Sequence, residues 1–205
     1  MRGKALAGLL GLLVVLVASA EEMGLRDFNA TQFSGLWYEI ALASNLEPQT
    51  PPQLKKMGAV LVEREGPYLT LTSVSDHINR CVKETTQAVK GDAPGKFKFP
   101  KEPGNKDVTV VATDYRTYAI VNVAFQKGRT AHSVLKLYSR DMEHNERVMA
   151  HFLLEASERG LSTASVQLLL KDRECPGRGV RPPEPVSPGH HSLLSAVTCV
   201  NLLRS

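Results

Sequence analysis

Between Gly35 and Arg140 the chain breaks into short extended runs separated by turn residues. The runs are Ser34 to Ala43, Met57 to Arg64, Tyr68 to Ser75, Arg80 to Val89, Gly95 to Phe99, Asp107 to Thr113, Thr117 to Gln126 and Ala131 to Ser139. Most are rich in Val, Thr, Tyr and Phe, the residues that suit a pleated, half-buried surface. Glu65-Gly66-Pro67 sits between two alternating runs and predicts a tight hairpin turn. After Asp141 the period changes. Val148, Phe152 and Ala156, with Met149 and Leu153 beside them, recur at three- and four-residue steps and predict an amphipathic helix from Glu143 to Glu158, which Gly160 is placed to end. A last apolar run, Ser165 to Lys171, predicts a ninth strand.

Eight consecutive strands at this spacing predict an all-β fold. An antiparallel up-and-down meander can close on itself, and closure removes the exposed edges an open sheet must protect. The helix that follows then has one place to pack, the outside of the barrel. An eight-stranded barrel leaves an interior that side chains fill or that holds one small ligand.

The two ends of the chain do not share this pattern. Arg2 and Lys4 precede an apolar run from Leu6 to Val17, and Ala18-Ser19-Ala20 supplies small residues for cleavage before Glu21. Residues 1–20 therefore read as a secretory signal peptide. A membrane anchor is the rival reading, but about twelve helical residues rise only about 18 Å, against a hydrocarbon core of roughly 30 Å. No later segment is long and apolar enough to span a membrane. Residues 21–175 hold the barrel domain. From Pro176 to the end, Pro, Gly and Ser dominate, so 176–205 is expected to be a disordered tail with no part in the barrel. Within it Leu193, Val197, Val200 and Leu203 recur at helical steps, but so short a helix would need a partner surface.

Loss of Arg2 and Lys4 with the leader takes the net charge from +4 to +2, with the bases scattered along the chain. That argues against nucleic acid or an anionic membrane as a partner. An exported chain permits disulfides. Of the three cysteines, Cys81 and Cys175 lie in patterned sequence and Cys199 in the tail, so the simplest arithmetic pairs the first two. Reactive, metal-binding or catalytic thiols are the alternatives, unsupported by any Cys-x-x-Cys motif or histidine cluster. Asn29-Ala30-Thr31 is the single Asn-x-Ser/Thr sequon, placed before the first strand, and Asn29 is the candidate glycosylation site.

Three motifs then resemble those of the lipocalin family: Gly35-Leu36-Trp37-Tyr38 on the first strand, Thr113-Asp114-Tyr115 between the sixth and seventh, and Leu137-Tyr138-Ser139-Arg140 ending the eighth. The resemblance spans Phe28 to Cys175 and is strongest to the secreted epididymal lipocalins. It implies that Cys81 and Cys175 form the family disulfide. It also implies structural roles for Gly35, Trp37, Thr113, Asp114, Tyr115 and Arg140, with the Arg140 guanidinium laid over the Trp37 indole to close the barrel base. The chain departs from the family in continuing for 30 residues past Cys175.

Alternation predicts the barrel lining. In the seventh strand Val121, Val123 and Phe125 share a phase with Ala119, and the more uniformly apolar set should face in. The same rule turns Val60, Val62, Leu69, Leu71, Phe97, Phe99, Val108 and Val110 inward. With Arg140 at the base, Tyr138, Lys136, Val134 and His132 share its phase. If Trp37 points in, Glu39 does too, and a convergent Glu39–Lys136 pair would orient an amphipathic ligand. The cavity is either open or partly filled by these side chains. The resulting expectation is a secreted, non-enzymatic carrier of a small hydrophobic or amphipathic molecule that is retinoid-, fatty-acid- or steroid-like. It needs no cofactor or metal, and a cell-surface receptor and the oligomeric state are left open. A defence protein sequestering a microbial small molecule is the alternative. An isomerase of the prostaglandin type would need an interior thiol nucleophile, and neither Cys81 nor Cys199 is placed to supply it.

Overall fold

The computed structural model describes residues 25, 27–46, 55–77, 80–99, 106–143, 145–171 and 203. The leader, Cys175, Cys199 and the tail other than Leu203 lie outside the described residues, and with them the expectations for cleavage and for tail disorder.

A one-turn helix, α1 (Ala30–Phe33), leads into the barrel; Asn29 caps it, its Oδ1 accepting from the backbone N–H of Thr31 and Gln32 at 3.1 Å each. Eight strands follow: β1 (Gly35–Ser44), β2 (Ala59–Glu65), β3 (Tyr68–His77), β4 (Arg80–Lys90), β5 (Lys96–Phe99), β6 (Lys106–Thr113), β7 (Tyr118–Lys127) and β8 (Thr130–Ser139). Each pairs antiparallel with the next, and β1 pairs with both β2 and β8, which closes the barrel. The Gly66-Pro67 turn joins β2 to β3 with Glu65 opposite Tyr68, as the hairpin signal requires.

The helix α2 (Glu146–Glu158) begins three residues later than the hydrophobic period indicates. Asn145 takes the cap position, its Oδ1 accepting from Val148 N–H at 3.1 Å, so Glu143 is left in the connection. Gly160 takes φ +68°, a left-handed conformation that halts the helix. The ninth strand is also shorter than expected. Thr163–Ser165 close a 3₁₀ turn, β9 (Gln167–Leu168) pairs opposite Leu42 and Ala41, and Leu170 adds a single parallel bridge to Lys56. β2 occupies that edge of β1 only from Gly35 to Tyr38, and β9 takes two of the residues β2 leaves.

Two apolar clusters result. One fills the lower barrel, with Trp37, Val62, Leu69, Phe97, Val110 and Val121 among its members. The other lies outside the sheet, where Phe152 and Ala156, one helical turn apart, press on Ile40, Ala41, Ile120, Leu135 and Leu137. Phe152 is fully buried, which is worth on the order of 2–3 kcal/mol of transfer free energy. Leu203 packs against this outer cluster. At that position, therefore, the tail does not stay clear of the barrel. Among the described residues no helix is long and apolar enough to cross a membrane.

Candidate ligand-binding site

The barrel encloses a cavity of about 420 Å³. Val60, Val62, Leu69, Leu71, Phe97, Val108, Val110, Val121, Val123, Phe125, Lys136 and Tyr138 all line it, with Trp37 and Phe33 at its lower end and Phe99 and Val134 on its walls. These positions follow from strand phase. Val108 stands opposite Val123 and Val110 opposite Val121, so like side chains meet on the inner face of adjacent strands. His132 does not line the cavity; its ring stacks on Phe125 with centroids 5.6 Å apart.

Ser73, Ser75, Glu84, Thr86, Ala88 and Lys106 also line the cavity and were not expected there. Ser73 and Ser75 continue the phase of Leu69 and Leu71, so extending the period-two pattern along β3 would have found them. In β4 the inward residues are Glu84, Thr86 and Ala88 and their outward neighbours are Lys83, Thr85 and Gln87, so no hydrophobic contrast marks the inner face.

The lower end of the cavity is closed by the three motifs acting together. Arg140 lies over the Trp37 ring, its guanidinium carbon 3.6 Å from the ring centroid. It donates to the carbonyls of Leu36 and Ser34 at 2.9 Å, Gln32 at 3.1 Å and Tyr115 at 3.2 Å. One planar fork thus ties α1, β1 and the β6–β7 turn. Burial lowers the Arg140 pKa, and Asp114 acts against that. Gly35, at φ +106°, leaves room for the fork, since a Cβ there would stand 2.9 Å from Arg140 Nη1. Trp37 Nε1 donates to the Phe33 carbonyl at 2.8 Å.

Asp114 organises the turn. Its Oδ1 accepts from the N–H groups of Arg116, Thr117 and Tyr118, and its Oδ2 from the Thr117 hydroxyl. Burial works to raise its pKa, but these donors outweigh burial and hold the carboxyl below its ordinary value. Thr113 Oγ1 accepts from Tyr115 N–H and donates to the Tyr118 carbonyl at 2.7 Å. Tyr115, at φ +63°, accepts Asn29 N–H on its hydroxyl at 3.1 Å and so fastens the entering segment to the floor. Asn29 is exposed, and its cap uses only the carbonyl oxygen.

One charged group interrupts the apolar wall in the lower half of the cavity. Lys136 Nζ meets Glu39 Oε2 at 3.0 Å and hydrogen-bonds Tyr138. Glu39 keeps the inward phase of Trp37, and a bulge at Ile40 follows it: Glu39 stands opposite Tyr138, while Ala41 already stands opposite Leu137. The extra residue shifts the phase beyond it, so Ala41 and Ala43, which would otherwise follow Glu39 inward, lie on the outer face under α2. The side chains of Lys136 and Glu39 are 27% and 18% exposed, and that exposure is to the cavity they line. Burial works to lower the Lys136 pKa, but Glu39 and the Tyr138 hydroxyl more than offset it, so the ammonium is held above its ordinary value. Burial pushes the Tyr138 phenol up to about 12, with Lys136 opposing the rise and Glu39 adding to it.

Cys81 stands on β4, is disulfide-bonded and packs against the outer cluster. Its expected partner, Cys175, lies outside the described residues. Among the described residues no group of His, Cys, Asp or Glu is arranged to hold a metal ion.

Residues 34–170 match the model of the lipocalin / cytosolic fatty-acid binding protein family. The chain is 38% identical over 168 residues to epididymal-specific lipocalin-5 of Rattus norvegicus, covering 82% of this chain and 89% of that protein. It is 33% identical over 148 residues to the extracellular fatty acid-binding protein of Coturnix japonica, covering 71% and 82% respectively. Among solved structures, the siderocalin Ex-FABP, described as working through dual ligand specificities, superposes with a TM-score of 0.62 at 27% identity, over 67% of this chain and 93% of that one. The motifs at the barrel floor, the closed eight-stranded topology and these likenesses agree, and the chain belongs to the lipocalin family.

Proposed function

We propose that the protein is a secreted carrier that holds one small hydrophobic or amphipathic molecule, retinoid-, fatty-acid- or steroid-like, inside the barrel. The observation that carries this is the cavity itself: about 420 Å³ of space between apolar walls with a few convergent polar groups. Small-molecule sites have this character and run from about 300 to 1,000 Å³. The signal-like leader and relatives named as epididymal and extracellular support secretion. Cys81 faces the outer cluster, so among the described residues no thiol is placed for interior catalysis.

The likeness to a siderocalin keeps a sequestering role for a microbial molecule in view. Such a role would suit inward bases better than inward valines, and Lys136 is already matched by Glu39.

The test is titration of the secreted protein with an apolar fluorescent probe, with a one-to-one endpoint expected. Val121, on the buried wall, is the residue to change. Val121→Glu places an unpaired charge there and is expected to abolish binding while β-rich circular dichroism persists. Binding equal to wild type would put the ligand elsewhere.

A further inference from the structure

The charges on the cavity wall balance. Among the described residues the lining contains Glu39 and Lys136 low in the barrel and Glu84 and Lys106 toward the other end. The lower pair decides what a buried ligand end can meet. Glu39 is two residues along β1 from Trp37, and Tyr138 two residues along β8 from Arg140, so the group sits just above the closed floor. Val121 stands beside Lys136 on the neighbouring strand, and the inner cluster of the lower barrel, with Val62, Leu69, Phe97 and Val110, is apolar.

A ligand carboxylate driven to this depth would approach Lys136, but Glu39 is already within 3.0 Å of the same ammonium. The second anion gains from Lys136 and is repelled by Glu39 in a medium of low dielectric. Its own lost hydration is then not offset.

A neutral polar end faces a different inventory. An ammonium has three N–H donors, of which Glu39 takes one and the Tyr138 oxygen another. That leaves an N–H on Lys136, the O–H of Tyr138 and the second carboxylate oxygen of Glu39. Donors and acceptors therefore stand side by side with no net charge. A hydroxyl, which both donates and accepts, matches that set, and a carbonyl matches the donor half. From this arrangement we infer that the Glu39–Lys136–Tyr138 group receives the neutral hydroxyl or carbonyl end of a lipophilic ligand and selects against the corresponding carboxylate.

This rests on the carrier reading and narrows its cargo to lipophilic alcohols and carbonyl compounds, setting free fatty acids aside. The chain's single tryptophan, Trp37, lines the cavity beside the group, so energy transfer from it to a polyene reports occupancy of this cavity. The probes are cis-parinaric acid and the alcohol with the same chain, each titrated near neutral pH into the full secreted protein and into Glu39→Gln. Wild type is expected to bind the alcohol about tenfold more tightly than the acid, the scale of one or two hydrogen bonds. Glu39→Gln uncovers the Lys136 charge and is expected to reverse or erase that preference. The assignment is overturned if wild type prefers the acid or binds the two equally, or if Glu39→Gln leaves the ratio unchanged. Should that variant lose its β-sheet circular dichroism, Tyr138→Phe carries the test. It removes a donor without altering charge, and is expected to weaken the alcohol several-fold while sparing the acid; equal weakening of both counts against the assignment. If wild type binds neither probe, the carrier reading itself fails.

Discussion

Arg140 serves Trp37 twice: its guanidinium covers the indole face at 3.6 Å, and the same group bonds the Leu36 and Ser34 carbonyls on either side of Gly35. Lysine keeps the charge but has neither the planar fork nor the reach to several carbonyls. Arg140→Lys is therefore expected to cost on the order of 2–4 kcal/mol, from lost charge-assisted hydrogen bonds and stacking. Gly35→Ala should approach the same cost from the other side, since a side chain at φ +106° is strained and its Cβ meets Arg140. Urea denaturation followed by Trp37 emission measures both. A loss below about 1 kcal/mol for Arg140→Lys would mean that the fork is not what holds the floor.

The Lys136–Tyr138 pair makes stability sensitive to alkaline pH. Both groups have folded-state pKa values above their ordinary 10.5 and 10.0. The folded chain thus keeps protons that the unfolded chain releases, and the stabilisation is complete below about pH 10 and declines as pH rises through about 12. Tyr138→Phe removes one of the two protons from this balance. Its denaturation midpoint should fall less steeply than that of wild type between roughly pH 9 and 11. Parallel slopes would show that Tyr138 ionises as freely in the folded protein as in the unfolded one.

Strand phase made much of the barrel interior legible in advance, because β3, β6 and β7 each set a more uniformly apolar face against a mixed one. It also brought Glu39 and Lys136 to the same interior, where the structure sets them 3.0 Å apart. Three features carried no such signal. The inner face of β4 is Glu84, Thr86 and Ala88, no more apolar than its outer face. The bulge at Ile40 is a register change between β1 and β8, a property of two strands that neither sequence alone expresses. The short β9 was hidden likewise, since its length follows from how much of the β1 edge β2 leaves free.

Asn29 offers its side chain to solvent at the base of the barrel, with only its carbonyl oxygen committed to capping α1. Protein from mammalian secretory cells is expected to carry one glycan there, seen as a mass loss on glycosidase treatment. Asn29→Gln should abolish that loss and, by weakening the cap, lower stability by roughly 0.5–1 kcal/mol. A wild-type mass unchanged by the enzyme would leave the sequon unused.

Cys81 projects from β4 into the outer cluster and is disulfide-bonded. Pairing with Cys175 closes a loop of about 95 residues, for which chain entropy gives on the order of 4–5 kcal/mol, usually less in practice. Cys175→Ser is accordingly expected to lower the melting temperature by at least about 5 °C, given roughly 2–4 °C per kcal/mol for a domain of this size. Cys199→Ser should leave it nearly unchanged. The two variants also separate the competing connectivities. A disulfide between Cys81 and Cys199 would reverse their order and draw the tail tightly onto the outer cluster that Leu203 already touches. Peptide mapping without reduction reads the same point directly: a Cys81–Cys175 cross-linked peptide is expected, and a Cys81–Cys199 peptide in its place would overturn the pairing.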